Sequence, residues 1–210
     1  MDNTLKNRNW RYATKKFDAS KKVSDEDLET LLEATRLSAS SYGLQPYHIY
    51  VITDQDIRER LKPVSWGQSQ LTDASHILVF TNATDFADEL IDDYLTNVSE
   101  TRNIPAEGLK GYGDFMKSKL LELPKEVKST WTAKQVYLAL GNAMQAAAEL
   151  QIDTCAMEGF EPDKYNEILG LSEKNQNAAV VLAVGYRSSE DDTQHYAKVR
   201  KSTSELFTHL

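Results

Sequence analysis

The longest apolar run of the chain, Ala178 to Val184, sets the first limit on its fold. The run is much shorter than the about 20 residues that span a bilayer as a helix, so it predicts a buried strand instead. Ile77 to Phe80 is a second run of this kind, and Thr154 to Met157 is a third. Because buried strands must be covered on their faces, the sequence predicts a central sheet packed between other layers.

Helical patterns alternate with these runs. Ser24 is suited to cap a helix whose leucines recur at helical spacing up to about Ser38, and the longest helix is predicted after Pro124. Small residues between Val136 and Ala148 form one stripe of that helix, so another helix can approach it closely. This helix is also a candidate dimer-facing element. The remaining predicted elements are a loop at 39–46, a strand at 48–53 and helices at 54–61, 86–100, 107–122 and 162–169.

The composition indicates one domain. The chain has 210 residues, 40% of them hydrophobic, and it contains no internal repeat and no Pro-rich or Ser-rich linker. A chain of this length buries roughly 70% of the surface that its unfolded form exposes, which is enough for a core without disulfides. We therefore expect a single domain of helix and sheet layers over residues 1–210.

Cysteine usage and the first residues indicate a cytoplasmic protein. Cys155 is the single cysteine, so no internal disulfide is possible, and it lies in an apolar run without an adjacent cation that would activate the thiol. Residues 1–6 lack the apolar stretch of a signal peptide. The sequence therefore predicts that the protein resides in a reducing compartment.

The N-terminal region differs in charge from the rest of the chain. The formal net charge is −8, which argues against a general nucleic-acid binder. Residues 1–22 nevertheless carry seven Lys or Arg against two Asp, a net charge of +5. A basic terminus on an acidic protein is a candidate site for a small anion, and the alternative from charge alone is a solvated basic arm.

Several common catalytic motifs are absent from the sequence. Gly111-Tyr112-Gly113 lacks the third glycine of a Rossmann loop and follows no predicted strand. The sequence also has no Walker A loop and no G-x-S-x-G elbow. The four histidines are far apart and form no H-E-x-x-H pair, so no metal site is predicted.

Five segments, in order along the chain, carry a family resemblance. They are Arg11 to Asp18, Ser38 to Tyr47, Trp66 to Gln70 with Asp73 to His76, Glu158 to Phe160, and Gly185 to Arg187 with Lys198 to Arg200. Together they resemble the nitroreductase family of flavin enzymes over roughly residues 8–201. Each motif alone is weak, whereas five in one order are specific.

The resemblance implies an α+β, nitroreductase-like fold with a central, mostly antiparallel sheet flanked by helices. It implies a helical excursion at about 86–130 that covers the substrate, FMN bound at a homodimer interface, and NAD(P)H as co-substrate. Hydride would pass from NAD(P)H through flavin N5 to a nitroaromatic, a quinone or a similar acceptor by a ping-pong mechanism.

The phosphate of FMN is a dianion and needs fixed cations. The resemblance assigns this role to Arg11 and Arg200, with Lys198 on the same face if the tail is extended. Tyr12 and Ala13 are predicted to contact the cofactor as well, although Ala13 lacks the hydroxyl of the family's usual serine. Without the resemblance, these cations would be surface charges on a chain terminus.

Further segments are predicted to contact the flavin ring. By resemblance, Lys15 lies at the N1–C2 edge, where an ammonium stabilises the negative charge of the reduced ring. Glu158 and Gly159 are placed near N5 and O4 through backbone N–H groups, and Glu158 serves for tuning or positioning because hydride transfer to N5 needs no side-chain acid. The other predicted cofactor contacts are Gly67, Gln68, Gln70 and Gln45, together with Ser40 and Ser41 of the partner subunit.

The sequence does not determine which electron acceptor is reduced or which subgroup of the family the chain resembles. Tyr112 and Phe115 are candidates to stack on an aromatic acceptor, with packing between helices as the alternative for each. The chain departs from the family pattern at Gly43, Tyr47 and Ala156, which weakens the assignment to a subgroup. Alternatives to the general reductase are a dihydropteridine or other dedicated reductase, a non-catalytic flavin-binding protein, and a partner-binding protein that has lost the cofactor.

Overall fold

Four strands form one antiparallel sheet at the centre of the chain. The computed structural model describes residues 3–210. Its strands are β1 (Tyr47–Ile52), β2 (His76–Ala83), β3 (Asp153–Met157) and β4 (Gln176–Gly185). They lie in the order β1-β2-β4-β3, and each neighbouring pair is antiparallel. The predicted α+β class with an antiparallel sheet is confirmed.

The two middle strands are buried on both faces. In β2, Ile77 and Val79 belong to one core cluster and Leu78 and Phe80 to the other, as the alternation of side chains along a strand requires. This arrangement explains why the runs in β2 and β4 are apolar without interruption. The outer edge of β1 pairs with no strand among residues 3–210.

Helices cover both faces of the sheet. They are α1 (Asn3–Trp10), α2 (Asp25–Arg36), α3 (Gln55–Leu61), α4 (Gln70–Asp73), α5 (Asp88–Arg102), α6 (Lys110–Leu120), α7 (Lys125–Glu149), α8 (Pro162–Leu169) and α9 (Thr203–Leu206). One core cluster joins α2 and α7 to the sheet, and the other joins α3, α4 and α8 to its opposite face. As predicted, Ser24 caps α2, because its hydroxyl accepts the N–H of Asp27 at 3.1 Å.

The long helix α7 packs on the chain's own sheet. Its small-residue stripe, which includes Val136, Ala139 and Ala143, is buried in the core cluster that covers β2 and β4. The small side chains of this stripe therefore bring the helix close to the chain's own core, and a second copy of the chain would meet α7 on another face. The opposite face of α7 presents Tyr137 and Leu138 to solvent.

The predicted excursion is present as α5 and α6. These helices pack around a third, smaller core cluster of Leu44, Ile91, Met116 and Leu120. The ammonium of Lys128 is 3.1 Å from the carboxylate of Asp85, which fixes the start of the excursion to α7.

The structure of residues 3–10 differs from the prediction. Residues 3–10 form α1, whereas the sequence indicated a basic segment without assigned structure. This helix buries no side chain, so it lacks the apolar periodicity that would have predicted it. Among residues 3–210, no helix is long and apolar enough to cross a bilayer.

Candidate functional site

The N-terminal segment after α1 crosses the end of the sheet. Ala13 forms a parallel bridge with Thr154 of β3, and Phe17 forms an antiparallel bridge with Arg187 just beyond β4. The N–H of Thr14 donates to the carbonyl of Thr154 at 3.3 Å. These contacts fix the main chain from which Arg11, Tyr12 and Lys15 project.

A buried carboxylate organises this segment. One oxygen of Asp191 accepts the N–H of Lys15 at 2.7 Å, the N–H of Lys16 at 3.1 Å and the hydroxyl of Tyr12 at 2.9 Å. Its other oxygen accepts the hydroxyl and the N–H of Thr193. Burial alone would raise the pKa of Asp191, and these hydrogen bonds outweigh it and lower the pKa to about 2. Sequence reasoning missed Asp191, since no local motif marks it.

Arg187 belongs to the framework of the site. Its guanidinium is 2.6 Å from the buried carboxylate of Asp153 and stacks on Trp10 and Tyr12, at 4.4 and 4.6 Å from the ring centroids. Burial and the Asp191 carboxylate raise the pKa of Tyr12. The side chain of Tyr12, a predicted cofactor contact, is thus held within the protein by Arg187 and Asp191.

Three cations from the two ends of the chain meet at this point. The ammonium of Lys198 donates a hydrogen bond to the main-chain carbonyl of Arg11. The pKa of Arg11 is lowered by burial and by the charge of Arg200, and the pKa of Lys198 is lowered by burial and by both arginines. The predicted juxtaposition of Arg11, Lys198 and Arg200 is therefore present, and we name these three residues the cation cluster.

In the described part of the chain, residues 3–210, the cation cluster has no anionic partner, and none of its members forms an ion pair. The buried Nε of Arg11 also lacks a hydrogen-bond partner in the described part of the chain. An unpaired buried guanidinium N–H is costly unless an acceptor binds there. A phosphate, which carries several acceptor oxygens and a double negative charge, fits this donor set.

Cys155 lies beside the same segment. Burial raises the pKa of its thiol, while the charges of Lys15 and Arg11 act in the opposite direction. The sequence showed no cation next to Cys155, and the structure corrects this, because the segment crossing β3 places two cations near it. The Gln70 side chain also acts to lower the pKa of this thiol, so Gln70 and Lys15 both lie near Cys155.

Two loops meet at the other end of β3. The side-chain amide of Gln68 donates to the carbonyls of Gly159 and Ser65, at 2.8 and 3.0 Å. A Cβ at Gly159 would lie 2.8 Å from the ring of Trp66, so glycine allows this close packing. Gly67 next to Trp66 has a φ of +72°, a left-handed conformation that favours glycine. Of the two predicted ring contacts, Gln68 thus holds the loop around Gly159, and Gly67 forms the turn before Gln68.

Glu158 has a partner that the sequence did not reveal. Its carboxylate accepts a hydrogen bond from the hydroxyl of Tyr137 on α7. Partial desolvation of the phenol and this carboxylate raise the pKa of Tyr137 to about 12, so the phenol stays protonated near neutral pH. The one sequence signal for Tyr137 is a large aromatic residue beside the small-residue stripe of α7.

Ser40, Ser41 and Gln45 lie in one loop. Their polar groups form hydrogen bonds within the protein. The hydroxyl of Ser40 accepts the N–H of Gln45 at 2.9 Å, and the N–H of Ser41 donates to Gln135 at 2.8 Å. The amide of Gln45 donates to the carbonyl of Arg36 at 2.8 Å. Among residues 3–210, no hydrogen bond or ion pair joins this loop to the cation cluster.

The predicted acceptor contacts lie on α6. Tyr112 and Phe115 are both partly exposed, and Tyr112 neighbours Tyr42 and Tyr94 closely enough for electrostatic coupling. The ring of Tyr94 packs against Gly43, which joins the excursion to the loop at 41–45. No group of three or more His, Cys, Asp or Glu side chains in residues 3–210 is arranged to hold a metal ion.

Solved structures share this architecture. An NAD(P)H:FMN oxidoreductase structure from Staphylococcus epidermidis superposes with a TM-score of 0.89 at 18% identity, covering 100% of this chain and 97% of that one. A nitroreductase structure from Exiguobacterium sibiricum, solved in complex with FMN, superposes with a TM-score of 0.85 at 22% identity, covering 99% and 97%. The fold is thus the α+β nitroreductase fold.

Sequence comparison identifies the family. The model of the Nitroreductase family matches residues 9–186, and the chain belongs to this family. A Staphylococcus epidermidis protein assigned by name to the NAD(P)H nitroreductases is 40% identical over 210 residues, which cover 95% of this chain and 93% of the relative.

Proposed function

We propose that this chain is an FMN-dependent NAD(P)H oxidoreductase that reduces nitroaromatic, quinone or similar acceptors by a ping-pong mechanism. The enzyme class follows from the family membership and from the names of the relatives. The observation that carries the cofactor assignment is the buried, unpartnered Nε of Arg11 within the cation cluster.

The cation cluster would hold the phosphate of FMN. Arg11 can offer its free Nε–H and further guanidinium donors to phosphate oxygens, and Lys198 and Arg200 add charge from the tail. Neutralisation by the phosphate would relieve the mutual repulsion that lowers the pKa values of Arg11 and Lys198.

Two sets of residues would hold the flavin ring. Lys15 follows the cation cluster in the same segment and would place its ammonium at the ring edge that gains negative charge on reduction. Gly159 and Glu158, positioned by Gln68 and Tyr137, would offer backbone N–H groups at the opposite edge. The bound FMN supplies hydride chemistry at N5, and the protein supplies binding, orientation and charge.

A homodimer would complete the site. Tyr137 and Leu138 on α7 and Val199 and Phe207 in the tail are exposed large hydrophobic residues, a pattern typical of an interface. Ser40 and Ser41 form no hydrogen bond with the cation cluster among residues 3–210 of one copy, and we propose that the partner subunit contributes them to the site. Tyr112 and Phe115 on α6 would then cover the acceptor, and the cytoplasm is the proposed compartment.

An absorbance spectrum of the purified protein tests the proposal. We expect a flavin spectrum with about one FMN per chain, bleaching on anaerobic addition of NADH or NADPH, and return of colour with menadione or nitrofurazone. Parallel lines in double-reciprocal plots would support the ping-pong order. A colourless protein that binds no added FMN would contradict the proposal, and bound FMN without NAD(P)H oxidation would indicate a non-catalytic flavin-binding protein.

A further inference from the structure

The hydrogen bond between Tyr137 and Glu158 joins α7 to the loop that follows β3. Tyr137 lies on the exposed face of α7, and Glu158 is the first residue after β3. Both side chains are exposed, with Tyr137 at 43%. An exposed pair of this kind contributes little to the stability of the fold, so we expect its effect on the position of the loop rather than on folding.

The loop after β3 is held from two sides. On one side, Gln68 binds the carbonyl of Gly159 at 2.8 Å, and the N–H of Glu161 donates to the carbonyl of Val64 at 2.9 Å. On the other side, the contact described for this loop is the bond from Tyr137 to the carboxylate of Glu158. Tyr137 therefore supplies the attachment of the loop to α7.

The hydrogen bond from the Tyr137 hydroxyl also determines the position of the Glu158 carboxylate. Because Glu158 accepts from a phenol on α7, its negative charge is drawn toward that helix. If released, the carboxylate could turn toward the space beside the 158–159 main chain, where a bound flavin ring would lie. A carboxylate there would oppose the negative charge of a reduced ring.

We propose that Tyr137 is a positioning residue that holds the Glu158 carboxylate against α7 and thereby fixes the 158–159 main chain for the flavin. The inference rests on the proposed FMN site. Tyr137 acts through Glu158, and its effect should vanish when Glu158 is removed.

A double-mutant cycle with Tyr137→Phe and Glu158→Ala tests the inference. Loss of one hydrogen bond to a charged group predicts about tenfold weaker FMN binding and a more negative flavin potential for Tyr137→Phe. In the Glu158→Ala background, the same substitution should change FMN affinity by less than about twofold and leave the potential unchanged. Tyr50→Phe, which removes a 2.8 Å hydrogen bond to Gln176 in another part of the sheet, is the matched control.

Hydrogen exchange of the cofactor-free protein supplies an independent measurement. The backbone amides of 158–161 should exchange several-fold faster in Tyr137→Phe and in Glu158→Ala, with no further increase in the double variant. Unchanged exchange in Tyr137→Phe, or an equal loss of FMN affinity in both backgrounds, would overturn the inference. If the wild-type chain binds no FMN, the proposed function fails, and the exchange measurement still decides whether Tyr137 fixes the loop.

Discussion

The carboxylate of Asp191 accepts the backbone N–H of Lys15 at 2.7 Å, which joins residues far apart in the sequence at the edge of the candidate site. The same oxygen accepts the Tyr12 hydroxyl and the N–H of Lys16. One buried carboxylate thus orders the main chain on both sides of Ala13. The position of Arg11 and Lys15 depends on this residue, which itself has no predicted cofactor contact.

Replacement of Asp191 by alanine should destabilise the protein. The change leaves the Lys15 N–H, the Lys16 N–H and the Tyr12 hydroxyl without their acceptor, and we expect a loss of about 3 kcal/mol in the free energy of unfolding. Urea denaturation measures this loss. Asp192→Ala, at an exposed neighbouring carboxylate, is the control and should cost less than about 0.5 kcal/mol. Equal stability of the two variants would contradict the role of Asp191.

The stability supplied by Asp191 should depend on pH. The pKa of Asp191 is about 2 in the folded protein, below the value of about 3.9 for an unfolded aspartate. Its contribution is therefore complete above pH 4 and is lost as the pH falls from about 4 toward 2. The difference in unfolding free energy between wild type and Asp191→Asn should shrink over that range. A difference that stays constant from pH 6 to pH 2.5 would argue against ionised Asp191 as the stabilising group.

Substitutions in the cation cluster should weaken the binding of FMN much more than the binding of riboflavin. Arg11→Ala and Arg200→Ala each remove a charged donor to the phosphate, so we expect about 10-fold to 100-fold weaker FMN binding. Riboflavin has no phosphate, and its affinity should change by less than about threefold. Lys201→Ala, next to Arg200, is the control. Quenching of flavin fluorescence measures all affinities, and equal losses for both flavins would remove the cluster from the phosphate role.

Lys15 and Lys16 form a matched pair for testing the ring edge. Both donate their backbone N–H groups to Asp191, but only Lys15 is proposed to face the flavin. Lys15→Ala should weaken binding of reduced FMN about tenfold relative to oxidised FMN and lower the flavin potential accordingly. Lys16→Ala should leave the potential unchanged. Spectroelectrochemical titration of the three proteins decides between them, and equal potentials would exclude Lys15 from this role.

Gly43 should resist substitution because of Tyr94. A Cβ at residue 43 would lie 2.8 Å from the hydroxyl of Tyr94, and the φ of +80° adds a strain of about 1 kcal/mol for any other residue. We expect Gly43→Ala to cost about 2–3 kcal/mol in wild type and only about 1 kcal/mol in a Tyr94→Ala background. Thermal unfolding of the four proteins measures the coupling, and an equal cost in both backgrounds would show that the backbone alone requires glycine.

The sequence predicted the parts of the fold that depend on local pattern. The apolar runs of β2 and β4 and the cap at Ser24 were recognisable because periodicity and capping are short-range signals. The cation cluster was predicted from the family resemblance, since no local signal relates Arg11 to Arg200. The structure places the three residues close together, and their role toward a phosphate stays a proposal.

Contacts between distant residues could not be predicted. Tyr137 and Glu158 lie on different elements, and Asp191 reaches the N-terminal segment across the whole chain. The small-residue stripe of α7 illustrates a related difficulty. Its pattern showed close approach by another element, but the sequence did not distinguish the chain's own strands from a second copy.

The contact between Lys198 and Arg11 also determines when the anion site can form during synthesis of the chain. A ribosome makes Arg11 more than 180 residues before Lys198 and Arg200. The sheet and most of its covering helices can fold earlier, while the cluster still lacks two of its three charges. A chain released prematurely would therefore fold around an incomplete anion site, and the site reaches full charge only when translation passes residue 200.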